Sequence, residues 1–285
     1  MKLLLPLCLL LALTGCAAPD PVPQPPDPEA VQAMAVQPPQ EESYRLGLAA
    51  WAHISRSMHA SYDFPGYART DVTFAAVVVD SGGVIRACAL DGVSISVPFD
   101  ATGALQLSDG TVFPSKTALG HDYGMHKASA LGTEWYQQAA DFAGNCVGKT
   151  AAQLRGGDAI SSVTISADSL LHAVLRAAET AQLPVDAPVD APVTPTLVCR
   201  GRMEGSRSAA IDSGEGGLAC VRVAAAAACD TVRADCAVLS AIPFTAHGRI
   251  ACDTAQGLSA LSDVLRSTAA TAEELQALRE IPAQT

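Results

Sequence analysis

The chain has 285 residues, nearly half of them apolar, and a formal net charge of −11. Its eighteen Lys and Arg are spread without a basic cluster, so nucleic-acid binding, which needs a positive footprint, is excluded, as is electrostatic attraction to anionic lipid. The apolar share, mostly Ala and Val, is enough for one or two hydrophobic cores.

The first residues read MKLLLPLCLLLALTGCAAPD. One Lys precedes an apolar run from Leu3 to Leu13, too short for a permanent membrane span of ~20 residues. A basic start, a short apolar centre and small residues at its end describe a secretory signal over residues 1–15. The Leu13-Thr14-Gly15-Cys16 ending resembles the bacterial lipobox. That resemblance implies cleavage before Cys16, acylation of its thiol and new amine, and a cell-membrane protein anchored by lipid on the extracytoplasmic face. Residues 16–42 are Pro-rich with few large apolar groups, so an extended tether is expected there.

A first body is expected over residues 43–181. Leu46, Leu48, Ala50, Ala52 and Ile54 alternate on one face, which predicts a half-buried strand. After a loop rich in Tyr, Pro and Gly, Asp71 to Asp80 reads as a second strand. Ser81-Gly82-Gly83 is a tight turn. Val84 to Leu90 and Val93 to Phe99 come next as further strand, and Ala101-Thr102-Gly103 turns into Ala104 to Leu107. Together these predict an antiparallel meander.

Helical periodicity then takes over. Thr133 is expected to cap a helix through Ala143, with Trp135, Ala139 and Phe142 on its buried stripe. A helix end at Gly144 and a short turn from Lys149 to Leu154 come after it. Ser166 is expected to cap a helix from Ala167 to Ala181, buried through Leu170, Leu171, Val174, Leu175 and Ala178. Strands succeeded by helices predict an α+β fold, a meander sheet covered by helices on one face.

Residues 182–196 repeat a Val-Asp-Ala-Pro unit and carry four Pro, which predicts a linker. The remainder, 197–285, reads as a second, degenerate α+β repeat. In both halves an Asp precedes a turn, then come Arg-Ala, a Cys, an aliphatic run, Pro-Phe and a Gly turn (from Val77 and from Ala227). Ser55-Arg56-Ser57 is matched with Ser206-Arg207-Ser208. Helices are expected around Leu258 to Leu265 and from Thr271, which opens a capping box.

With Cys8 in the signal and Cys16 acylated, seven cysteines remain: 88, 146, 199, 220, 229, 236 and 252. An odd number cannot all pair within one chain, and no CxxC signals a zinc knuckle. Set in apolar runs, they read as small buried hydrophobes, with one or two disulfides as the alternative.

Ser161-Ser162-Val163-Thr164-Ile165-Ser166 stands just before the last helix of the first body. It resembles the Ser/Thr-Gly-Ala-Thr/Ser-x-Thr motif of the FMN-binding domain family, the periplasmic flavin domain of sodium-pumping quinone reductases and of related electron-transport complexes. In that family the last Thr hydroxyl forms a phosphoester to FMN. Ser161, Thr164 and Ser166 fit the first, fourth and acceptor positions, while Ser162 and Val163 replace Gly and Ala. The resemblance implies Ser161, Ser162, Thr164 and Ser166 as FMN-binding residues and a redox partner. Ser is also among the best N-cap residues and caps without any ligand, so cap, noncovalent flavin and covalent flavin all stand.

Other motifs are weaker. Gly144 to Thr150 imitates a Walker loop, but three residues separate its glycines and it comes after a helix. His121, Asp122 and His126 are read as solvated loop residues, and no metal is expected. Tyr62, Phe64 and Tyr67 are read as a Pro-Gly turn folded over a sheet edge, or as an aromatic binding cluster. The expected function is a membrane-anchored extracytoplasmic lipoprotein with FMN-binding-like domains that binds or builds the envelope without catalysis. The alternative is a flavin-carrying electron-transfer protein.

Overall fold

A computed structural model describes residues 43–157, 167–187, 193–229 and 232–254. The chain divides into two units, Met1–Glu41 and Glu42–Thr285, and every described element belongs to the second. Cys16, Ser161, Ser162, Thr164, Ser166 and the helices expected after Leu258 lie outside the described residues.

Two four-stranded antiparallel sheets make up the framework, beside a few helices. The first has the order β3-β2-β1-β5, with β1 Tyr44–His53, β2 Gly66–Val79, β3 Ile85–Phe99 and β5 Leu183–Val185. The second has the order β4-β6-β7-β8, with β4 Val112–Pro114, β6 Thr196–Met203, β7 Gly217–Cys229 and β8 Val232–Phe244. The α+β class expected from sequence is therefore present. The further strand expected over 84–99 is a single one, β3, and Gly92 in its middle packs its bare Cα edge against the Val72 carbonyl. One difference concerns β2, which starts at Gly66 rather than Asp71.

The helices are α1 Lys116–Leu119, α2 Trp135–Cys146, α3 Ala151–Arg155 and α4 Ala167–Glu179. They pack on the outer face of the first sheet. Leu170, Ala173, Val174 and Ala177 of α4 and Trp135, Ala139 and Phe142 of α2 bury against Ala75, Val77 and Ile85. The inner face of the same sheet packs on the second sheet through Val72, Phe74, Val93, Ile95 and Phe99 against Val221, Val223, Val238 and Phe244. Strand β2 is thus covered on both faces. This is why Phe74 to Val79 reads as an unbroken apolar run rather than an alternation.

Helix boundaries correct two details. Residue Glu134, not Thr133, is the N-cap of α2, and the Gln137 side chain accepts from its backbone N–H at 2.9 Å. The Thr133 hydroxyl is buried without a hydrogen-bond partner among the described residues. Helix α2 also runs through Gly144 to Cys146, since Gly144 opens no alternative to the i−4 ladder and Gly148 (φ +82°) makes the turn instead.

The 182–196 segment separates sheets but not cores. It contributes β5 to the edge of β1, and β4 from the first half pairs with β6 of the second. One contact recurs inside each half, and others tie the halves together. The Ser57 hydroxyl donates to the Arg69 carbonyl and accepts its N–H; the Ser206 hydroxyl does the same with Cys220. The Ala209 N–H donates to the Gly103 carbonyl at 2.8 Å, and the Ala60 N–H to the Gly248 carbonyl at 2.7 Å. Phe99 and Phe244 stack at 4.3 Å and 7° between the sheets. Each Phe lies over a Gly, Gly66 or Gly217, where a Cβ would meet its ring at 2.5 or 2.1 Å. Ser57 and Ser206 thus make the same pair of hydrogen bonds, whereas the Ser55 hydroxyl bonds with His53 Nδ1.

Candidate functional site

On the helix side of the first sheet, a cavity of about 140 Å³ opens between α2 and α4. Its floor is His53 of β1 and Asp71 and Thr73 of β2, its far wall Tyr123 and Trp135, and its near wall Ser169 and Leu170 in the first turn of α4. Alternation of side chains along β1 and β2 sends His53 and Asp71 to this face, while Ala52 and Val72 go to the inter-sheet core.

Lys116 is the unusual lining group. It opens α1 after the N-cap Ser115, whose hydroxyl accepts from the Ala118 N–H at 3.0 Å. The residue is only 7% exposed. Its ammonium lies 4.7 Å from the Trp135 ring centroid and 5.6 Å from that of Tyr123. No hydrogen bond or ion pair to it is formed among the described residues. Cation–π contacts of this kind contribute about 0.5–2 kcal/mol, and they leave the N–H donors of the ammonium available to a guest in the cavity.

Asp71 does not meet the ammonium directly. Its carboxylate accepts from the Ser94 hydroxyl at 2.5 Å and from Arg69 Nε at 3.2 Å. Burial pushes the Asp71 carboxyl up, but the Ser94 hydrogen bond, Arg69 and Lys116 outweigh it and hold the group below the usual carboxylate range. Tyr123 extends the network, its hydroxyl 3.4 Å from Ser94 Oγ. Burial lowers the His53 imidazole below its ordinary value, so it is neutral at pH 7. Arg56 lines the cavity and makes no ion pair among the described residues. Among the described residues, the cavity therefore offers one ammonium and one guanidinium to a guest, with the single lining carboxylate already engaged.

Beside it, Met125 links the cavity to a second polar group. Its backbone N–H donates at 3.0 Å to Glu134, whose side chain is fully covered, and Glu134 also faces His121 and His126. The two His were legible as a pair; Glu134 was not, because its part depends on the 3₁₀ turns Gly120–Tyr123 and Met125–Lys127 folding back over the start of α2.

Trp135 and Phe142 are core, but Trp135 also presents its ring to Lys116. Tyr62 and Phe64 are not folded over the sheet edge: they stand 96% and 72% exposed. Cys88 and Cys146 are neighbours whose thiols shift each other, Cys88 up and Cys146 down, and all seven described cysteines are free thiols. The flavin motif itself lies outside the described residues, but the helix next to it does not: Ala167 starts α4, and Ser169 and Leu170 reach the cavity. No described helix is long and apolar enough to cross a membrane. No family model, no curated protein and no solved structure matches the chain, so its function has to be read from what this cavity and its flanking groups can do.

Proposed function

We propose that this is an envelope lipoprotein, held at the membrane through Cys16, whose folded body binds a compact anionic group without performing catalysis. The observation that carries the reading is Lys116, a nearly buried residue whose ammonium is set over two rings at a cavity where the only carboxylate among the described lining residues is engaged elsewhere. The first turn of α4 adds the positive end of a thirteen-residue helix. The volume limits the guest. A cavity near 150 Å³ holds one benzene-sized molecule, so about 140 Å³ suits a phosphate or a carboxylate and is too small for a three-ring isoalloxazine.

The flavin reading enters here as the second one. The motif with Ser161, Ser162, Thr164 and Ser166 directly precedes the helix that lines the cavity. FMN bound through its phosphate, with the ring system outside, is compatible with both features. We further propose that the second half, 197–285, is a degenerate copy of the first. The like hydrogen bonds of Ser57 to Arg69 and of Ser206 to Cys220, of Gly103 to Ala209 and of Gly248 to Ala60, and the Phe99–Phe244 stack support this.

Isothermal titration of the purified chain with inorganic phosphate and, separately, with FMN tests the site. Saturable phosphate binding that disappears in Lys116→Met is expected. Binding of FMN but not phosphate, or flavin that survives denaturation on the polypeptide, favours the electron carrier. Wild-type binding of both by Lys116→Met overturns the assignment. For the anchor, metabolic labelling with radioactive palmitate should mark the protein and not Cys16→Ala; label retained by the variant refutes acylation there.

A further inference from the structure

We propose that His121, His126 and Glu134 form a site for one divalent transition-metal ion of the zinc class, with an open coordination position. The three side chains come from two separate stretches. His121 and His126 lie on consecutive 3₁₀ turns joined at Gly124, whose positive φ of 72° reverses the chain between them. Glu134 is the N-cap of α2. One ligand atom from each residue lies within 4.8 Å of the other two. Donors on a tetrahedral ion with bonds of about 2.0–2.2 Å stand roughly 3.3 Å apart, so closure takes a movement on the order of 1 Å. The His121 side chain is 77% exposed and free to supply it.

The carboxylate is built as a fixed ligand. Its side chain is wholly covered, and Oε2 is held by the Met125 N–H at 3.0 Å, while Oε1 pairs with His126 Nδ1 and faces His121 Nδ1 at 3.8 Å. A backbone donor on the non-ligating oxygen is the outer-shell support that orients metal-binding carboxylates. No Lys or Arg pairs with this carboxylate among the described residues. Two imidazole nitrogens and one carboxylate oxygen suit zinc, cobalt, nickel or copper; calcium and magnesium prefer all-oxygen shells. Three protein ligands are one short of a closed structural zinc site, and the exposed side of His121 leaves the fourth position to water or an outside ligand. The site stands on residues separate from Lys116 and does not rest on the anion reading.

Cobalt titration of the untagged full chain, stripped with EDTA and in phosphate-free buffer, tests the site. One equivalent of Co²⁺ should produce the visible ligand-field bands of a four- or five-coordinate ion without a thiolate charge-transfer band. Zn²⁺ should bleach them, since it binds nitrogen and oxygen donors more tightly than Co²⁺. His121→Ala, a change at an exposed side chain, and Glu134→Gln, which keeps the acceptor for Met125, should each weaken Co²⁺ at least 10–100-fold, the loss that even outer-shell changes bring. Both variants should show wild-type circular dichroism. Absence of stoichiometric bands, a thiolate band that assigns the ion to cysteines, or wild-type affinity in His121→Ala would overturn the proposal. A failed phosphate titration leaves it untouched.

Discussion

Phe244→Ala tests the shared core most sharply. Phe244 is 1% exposed and Phe99 is fully buried, their rings 4.3 Å apart. Truncating a buried Phe removes its transfer free energy and leaves a cavity, at a cost of about 3–5 kcal/mol. Collapse offers little relief here, because Gly217 beneath the ring has no side chain to move in and Phe99 is pinned over Gly66. For a body of about 200 residues each kcal/mol shifts the midpoint by about 2–4 °C, so a fall of about 6–20 °C is expected. The reporter makes the test discriminating. Both tryptophans of the chain, Trp51 and Trp135, lie on the helix side of the first sheet, whereas Phe244 ends the second. If the inter-sheet cluster is one core, tryptophan fluorescence and far-ultraviolet circular dichroism must fall together in the variant, in one transition. A tryptophan midpoint within 1 °C (about 0.25–0.5 kcal/mol) of wild type, beside an earlier dichroism phase, would mean that the halves unfold separately and would falsify the single shared core.

Two further predictions concern buried polar groups. Thr70 and Ser240 share a 2.6 Å hydrogen bond across the inter-sheet space, both essentially inaccessible. Ser240→Ala should cost about 1–3 kcal/mol in urea unfolding by stranding the Thr70 hydroxyl, and adding Thr70→Val should recover much of it; a double variant no better than the single one contradicts the pairing. Asp71→Asn should destabilise by about 1.5–3 kcal/mol at pH 7, the range for hydrogen bonds to a charged group. Because the folded-state value of Asp71 is depressed, its contribution is present above the unfolded value of about 3.9 and disappears as pH falls through the folded one. The gap between wild type and variant should therefore shrink below about pH 4, and a gap that stays constant as the solution is acidified well past that point would rule this out. In the same network, Ser94→Ala should raise the Asp71 carboxyl towards its ordinary value, read by carbon-13 NMR titration; an unmoved value would mean that the 2.5 Å bond contributes nothing.

Local periodicity was enough for much of the fold. Alternation from Leu46 to Ile54 and the Ser81-Gly82-Gly83 turn are properties of neighbouring residues, and β1 and the turn between β2 and β3 lie where those patterns put them. The 3.6-residue stripe of Leu170, Val174 and Leu175 likewise defines the buried face of α4. Edges were harder, since the ends of β2 and α2 depend on partners elsewhere. Gly66 joins β2 because Phe99 lies across from it, and Glu134 displaces Thr133 as cap where the 3₁₀ turns return over α2.

By itself, then, the sequence determined the α+β class, the antiparallel meander and the helix that covers it, because each is a matter of spacing along the chain. Tertiary structure alone decided that Lys116, His53, Asp71 and Ser169, up to 116 residues apart, border one cavity, and that Glu134 meets His121 and His126. It also decided that the Pro-rich stretch contributes an edge strand, since β5 exists only against β1. The physical reason is the same in each case: hydrogen bonds and charge contacts act over a few ångströms of space, and sequence distance carries no information about which distant groups a fold brings within that reach.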